Sequence, residues 1–332
     1  MTYARRFAWP AVLAIGIALP LAMRNDYLLT VMSTAFIFAL ATVGMNLLAG
    51  YTGQFNLAHG GFFAVGAYTV GILTVDHQWP FWAAFGAAGI AALVLGLAIG
   101  PLSLRLRGNY FAIFTLCVGY IMFLVIEKWD GLTHGVVGII GIPSPPSIGP
   151  VSFDSPLALY YLTLAFLALG MWLMQRIVNS LVGYTFIAVR NSEPLAQALG
   201  VNLMRTKVNA FLISVCYASF AGGLYAGAVR FLGPDLAAID HTFDMTMYMV
   251  VGGVGTLAGP LIGAVAVPWI TENLQFMQSY RFVVFGPLLI VLLIFMPNGL
   301  VGLWQSLWAR RCARARRVAE QAPRAVSGEP HA

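Results

Sequence analysis

The chain has 332 residues, of which 60% are hydrophobic and only 9% charged, with a mean hydropathy of +0.82. Soluble domains carry about 25% charged residues, so a water-soluble fold is excluded and an all-α polytopic membrane protein is expected. The net charge of +6 does not point to nucleic acid, because the basic residues sit in short inter-span loops and a C-terminal tail, where the positive-inside rule accounts for them.

Arg5 and Arg6 precede an apolar run over residues 7–23. The Ala18-Leu-Pro-Leu-Ala22 stretch is a poor cleavage site and more spans follow at once, so the run reads as an uncleaved first span. Runs long enough to cross a bilayer, about 17–25 residues each, follow at 27–48, 81–104, 110–126, 157–175 and 208–229. Three further segments are shorter or interrupted: 62–75, 245–271 with a glycine-rich centre, and 282–296, which ends at Pro297-Asn-Gly. With the N-terminus in the cytoplasm, 14 of the 18 basic residues fall on that side, including Arg105, Arg107, Arg176, Arg190, Arg205, Lys207 and the arginines of the tail. The opposite side receives Asp26, Asp76, Glu127, Asp130, Asp154, Asp235, Asp240 and Asp244. This partition places both termini in the cytoplasm.

Parity then constrains residues 245–271, which must return to the side they leave, as a re-entrant hairpin or two short spans. The total is roughly eight to ten crossings with two broken or re-entrant segments. The transmembrane domain covers residues 1–308, with an apolar Gly/Pro-rich external loop at 128–156 and the longest cytoplasmic loop at 176–207. The basic tail at 309–332 is expected to be disordered and to contact lipid headgroups.

The first broken segment lies at Gly50-Tyr-Thr-Gly-Gln-Phe-Asn-Leu-Ala-His-Gly-Gly, between two apolar runs. Its glycines bare the backbone, while Thr52, Gln54, Asn56 and His59 offer neutral hydrogen bonds. Two readings stand for Gln54, Asn56 and His59: contact with a passing solute, or capping of the broken helix. Gly53 and Gly60 either line the same path or allow close helix packing, the role expected of Gly223, Gly227, Gly255, Gly259 and Gly263. The second segment, Gly252-Gly-Val-Gly-Thr-Leu-Ala-Gly-Pro-Leu-Ile-Gly, echoes the first in character and places Gly253 and Thr256 on the same path, as an inverted repeat requires.

In the cytoplasmic loop, Asn191 or Ser192 is suited to cap a short helix. Glu193 suits the helix dipole, Pro194 the first turn, and Gly200 the terminating positive φ. Leu195 and Leu199 share one apolar face, with Arg190 and Ala198 in the same element, which forms a knob suited to docking.

Catalytic and metal-binding patterns are lacking: the five histidines are scattered, and Cys117, Cys216 and Cys312 show no ligand spacing. No P-loop is present, so any ATP and Mg²⁺ are bound by another polypeptide and none by this chain. Ion coupling usually demands acids inside the bilayer. Here Asp244 falls at a predicted interface and Glu272 beside the second break, and these are the acids a secondary carrier would use. A passive channel is the other alternative.

Residues 193–200 look like the Glu-Ala-Ala-x3-Gly loop of ABC importer permeases. Residues 50–68 resemble the Gly-Tyr-x-Gly-Gln-x-Ser-Leu-Gly-His-x-x-Phe-x-x-x-Gly-Ala-Tyr signature of the high-affinity branched-chain amino acid permeases. Leu104-Arg-Leu-Arg-Gly-Asn-Tyr-Phe-Ala-Ile-Phe-Thr-Leu is similar to a stretch that marks the LivM-type subunit. The likeness runs in order over roughly residues 31–300. Asn56 stands where Ser is usual, Ala58 replaces a Gly, and Pro194 takes the second place of the Glu-Ala-Ala triplet. The resemblance implies a LivH-type partner permease, two ABC ATPase subunits, a periplasmic solute-binding protein and a place in the bacterial inner membrane. It implies docking of the ATPases on Arg190, Asn191, Glu193, Pro194, Leu195, Ala198, Leu199 and Gly200. It leaves branched-chain amino acids, urea and short amides open as solutes.

Overall fold

A computed structural model describes residues 16, 20, 25–106, 108–147, 153, 155–273 and 299–302, with backbone alone at 270–273. Nearly all of the expected span 7–23, all of 282–296 and the tail 309–332 lie outside the described residues.

Asn25 accepts a hydrogen bond from the Tyr27 N–H and starts α1 (Asp26–Asn46), which runs on into a π-helical turn, Leu47–Tyr51. After the break come α2 (His59–Val75), α3 (Phe81–Ser103) and α4 (Asn109–Lys128). Ser155, followed by Pro156 in the first turn, caps α6 (Pro156–Val178), and Asn202 caps α9 (Leu203–Val229). Each of these caps satisfies an amide that helix geometry leaves unpaired. Among the described residues five helices are long and apolar enough to cross a membrane: α1 with its π turn, α3, α4, α6 and α9. The expected spans were right to within a few residues at most ends. The clearest exceptions are α2, which begins at His59 rather than 62, and α9, which begins at Leu203 rather than 208.

Helix α9 lies at the centre and packs on α1, α2 and α3. Lipid tails are as apolar as leucine, so this packing relies on close van der Waals approach. A Cβ on Gly66 would fall on the Ser219 backbone and one on Gly222 on the Phe63 carbonyl, so α2 and α9 meet backbone to backbone. Gly223 and Gly227, expected in that role, instead leave room for the rings of Phe85 and Phe81 on α3. Above this contact Phe63 lies 5.5 Å from Tyr225 and stacks on Phe38 of α1 at 5.4 Å, joining the three central helices. By contrast α4 buries only the stripe Phe111, Thr115, Gly119 and Ile126.

The loop after α4 folds onto α2. It contains α5 (Asp130–Thr133), a 3₁₀ turn (Gly135–Val137) and β1 (Ile139–Ile140), which pairs antiparallel with β2 (Phe231–Leu232). Ile139, Ile142 and Leu232 converge on Gly71 of α2, which explains the apolar composition of this loop.

The loop after α6 holds two helices, α7 (Leu181–Asn191) and α8 (Glu193–Ala198). Residues 245–271 are not one helix, as parity requires: α10 (Ile239–Gly252) and α11 (Gly259–Asn273) form an antiparallel hairpin. Gly252 abuts Gly259 and Gly263 abuts the Tyr248 carbonyl, so neither pair leaves room for a Cβ.

Candidate functional site

The first break, residues 52–58, follows the π turn of α1, and Gly50 of that turn packs directly against the second break, residues 253–258. Asn46 at the end of α1 holds the second break there. Its Nδ2 donates to the Thr256 carbonyl at 2.8 Å and its Oδ1 accepts the Gly255 N–H at 2.8 Å. A Cβ on Gly50 would lie 2.6 Å from the Gly255 nitrogen, so only glycine allows this approach. Gly53 and Gly255 have φ of +76° and +73°, a region L-residues rarely adopt.

In the first break the chain turns at Gly53 and climbs back beside the end of α1. The Gln54 N–H donates to the Leu48 carbonyl at 3.0 Å, and His59 reaches Ala41, ten residues above Tyr51. The His59 Nε2–H donates to that carbonyl at 2.9 Å, since a carbonyl only accepts. Asn56 Oδ1 accepts the Ala58 N–H, Thr52 Oγ1 donates to the Leu47 carbonyl at 3.2 Å, and Thr115 Oγ1 of α4 accepts the Leu57 N–H. Gly60 N–H donates to Thr242 Oγ1 of α10 at 3.0 Å, which supplies the missing cap of α2. In the second break Thr256 serves both sides: its Oγ1 donates to the Gly253 carbonyl at 2.8 Å and accepts the Gly259 N–H at 3.1 Å.

The cavity beside the first break is a narrow groove lined by Leu57, Gly61, Leu116, Gly119, Tyr120 and Thr242. Its walls carry no charge. Asp244 lies on α10 and its carboxylate is buried within the protein, with His241 Nδ1 3.9 Å from Oδ2. The Glu272 side chain lies outside the described residues.

Beside the breaks, α7 ends at Asn191 and a single extended residue, Ser192, leads into α8. Ser192 Oγ caps the Leu195 N–H, and Pro194, which has no N–H and clashes with the carbonyl four residues back, prevents α7 from continuing. Arg190 and Asn191 therefore lie on α7 and not on the short helix where the sequence reading put them. Glu193 pairs with Lys207 of α9 at 2.6 Å, and Gly200 takes φ +84° beyond the end of α8. Leu195 and Leu199 are 61% and 75% exposed, so among the described residues nothing covers their shared apolar face.

A family described as branched-chain amino acid transport system, permease component, matches residues 27–293, which hold all of these features. The chain belongs to this family. It is 28% identical over 313 residues to the high-affinity branched-chain amino acid transport permease LivM of Salmonella typhimurium, covering 88% of this chain and 73% of that protein. It is also 26% identical over 287 residues to LivH of Escherichia coli (80% and 91%), and 23% identical over 232 residues to a probable LivM of Methanocaldococcus jannaschii (64% and 66%). No solved structure matches. The chain is thus a LivM-type, multi-pass membrane permease, and its relatives are transport components.

Of the expected path residues, Gly53 and Thr256 lie beside the contact between the π turn and the second break, whereas His59 and Gly60 sit further along, against Ala41 of α1 and against Thr242 of α10. Thr52, Asn56, His59 and Thr256 each spend a polar atom on a backbone group, that of Thr52 in the π turn and that of His59 in α1. Asn46, Thr115, Thr242 and Lys207 were not anticipated. A lone Asn near the end of an apolar span was the one available signal, because such a residue seeks a partner on another helix.

Proposed function

We propose that the chain is one of two permease subunits of an ATP-driven inner-membrane importer that moves branched-chain amino acids handed over by a periplasmic binding protein. The observation that carries this reading is the junction of two breaks, apposed through Asn46 and lined by neutral groups except for Arg190, in a chain of the permease family. A zwitterion with an apolar tail meets weak polar contacts there and a single cation, Arg190, whose guanidinium is already engaged on the Gly50 carbonyl, so it is passed on rather than held. The bare leucines of α8 are the surface on which an ATPase subunit docks, and closure of two ATPases drives the breaks between inward- and outward-open states. Arg190 and Glu193 have intrachain partners, which leaves Leu195 and Leu199 as the contacts that a partner would cover.

The test is uptake of labelled leucine by proteoliposomes holding both permeases, the ATPases and the binding protein. Leucine entry that requires ATP and persists with an uncoupler is expected. Entry of urea in preference to leucine would move the assignment to the amide importers. Leu195→Ser with Leu199→Ser is expected to abolish copurification of the ATPases, and unaltered copurification would remove α8 as the dock. Buried Asp244 favours one competitor, an ion-coupled carrier. Uptake that continues without ATPases and collapses with an uncoupler would establish it.

A further inference from the structure

Arg190 leaves the last turn of α7 and enters the junction between the breaks. Its aliphatic stem lies over Gly53, where a built Cβ would sit 3.4 Å from Cγ and 3.8 Å from Cβ of Arg190. Its Nη1 donates to the Gly50 carbonyl in the π turn of α1 and also lies where a Cβ of Gly255 would have to go. Three glycines thus surround one arginine: Gly50 accepts its hydrogen bond, Gly53 lies under its stem at ordinary contact distance, and Gly255 leaves the space that Nη1 occupies, so that a Cβ there would collide with it. The same Gly50 and Gly255 backbones are held together from the other side by Asn46. At the α7 end only Ser192 separates Asn191 from α8, so no linker is available to absorb a displacement of α8.

We propose that Arg190 is the positioning residue that transmits movement of the α7–α8 pair to both breaks at once, and that it is not a docking contact. The inference rests on the reading of α8 as the element that meets the ATPase. A push on α8 moves the end of α7, and the guanidinium carries the Gly50 carbonyl with it. Through Gly255 and Asn46 the second break follows. One nitrogen, Nη1, meets both sides, and the planar guanidinium holds it there with less freedom than the flexible ammonium of a lysine.

The test uses the complete importer with its ATPases, second permease and binding protein in proteoliposomes, with leucine as the probe. Arg190→Gln is expected to keep its ATPase subunits through purification while leucine taken up per ATP hydrolysed falls about tenfold, within the range common for coupling between sites. Arg190→Lys is expected to recover part of that ratio. Uptake and hydrolysis falling in constant proportion, an unchanged ratio, or loss of the ATPases on purification would each overturn the link. A reversible tether controls for folding. With Cys117, Cys216 and Cys312 replaced, Gly53→Cys and Arg190→Cys put two thiols at a Cβ separation inside the disulfide range of about 3.5–4.5 Å. Copper-catalysed oxidation is expected to raise uptake per ATP in this pair, and reduction to lower it again. An oxidised pair no better coupled than the reduced one contradicts the proposal. Failure of the wild-type complex to import leucine with ATP would instead defeat the underlying reading.

Discussion

The two breaks differ in how many helices their outside partners come from. The break between α10 and α11 is spanned locally by Thr256, which bonds the Gly253 carbonyl and the Gly259 N–H, and its outside hydrogen bonds come from one residue of α1, Asn46. The break between α1 and α2 has local bonds too, but Leu57 depends on Thr115 of α4, Gly60 on Thr242 of α10 and Gly50 on Arg190 of α7. A break tied to one neighbour keeps its shape when the others shift. One tied to three elements moves with them, because an unmade bond to a buried backbone group costs more than a small displacement. The comparison makes the first break the responsive half of the junction and the second its firm wall, with Asn46 holding them together.

The sharpest challenge to this view is Asn46→Leu, which leaves the Gly255 N–H and the Thr256 carbonyl buried without partners. A loss of about 3 kcal/mol is expected from two orphaned groups, read as thermal unfolding in detergent. A loss under about 0.5 kcal/mol, the level of an ordinary surface change, would mean that the breaks do not depend on Asn46. Gly255→Ala comes next, since it adds a Cβ 2.7 Å from Arg190 Nη1 to a strained φ. About 2–3 kcal/mol is expected there. Gly53→Ala meets only ordinary contacts at a similar φ and should cost about 1–2 kcal/mol. Equal losses at the two glycines would argue against the crowding assigned to Arg190.

Smaller effects separate the two caps. Thr256→Val removes two local bonds and should destabilise by about 2 kcal/mol, and Thr242→Val removes the cap of α2 and should cost about 1 kcal/mol. The order should reverse for transport, with leucine uptake by the importer falling further in Thr242→Val. If uptake instead tracks stability in both variants, the first break has no special responsiveness.

Much of this architecture was legible in the sequence. Apolar runs gave the spans, and glycines beside neutral polar groups gave both breaks. Charge parity gave the return of α10 on α11. What remained hidden is long-range. Asn46 meets Thr256 across 210 positions and Gly60 meets Thr242 across 182, and no local periodicity encodes such pairs. Arg190 was misplaced for a different reason. Residues 181–191 hold Gly183 and the β-branched Val182, Thr185, Ile187 and Val189, weak helix formers, so propensity hides that α7 reaches Asn191 and that the extended Ser192 alone parts it from α8. Thr52, Asn56 and His59 were legible as unusual, but burial commits a polar atom of each to unpaired backbone before any solute arrives.

The central claim is that the two breaks form one unit through Asn46, and hydrogen exchange of the whole permease tests it most directly. In Asn46→Leu, amides of residues 50–60 and of residues 253–259 should lose protection together, with Gly255 among the most affected. Loss confined to residues 253–259, with the first break as protected as in the wild type, would contradict the account.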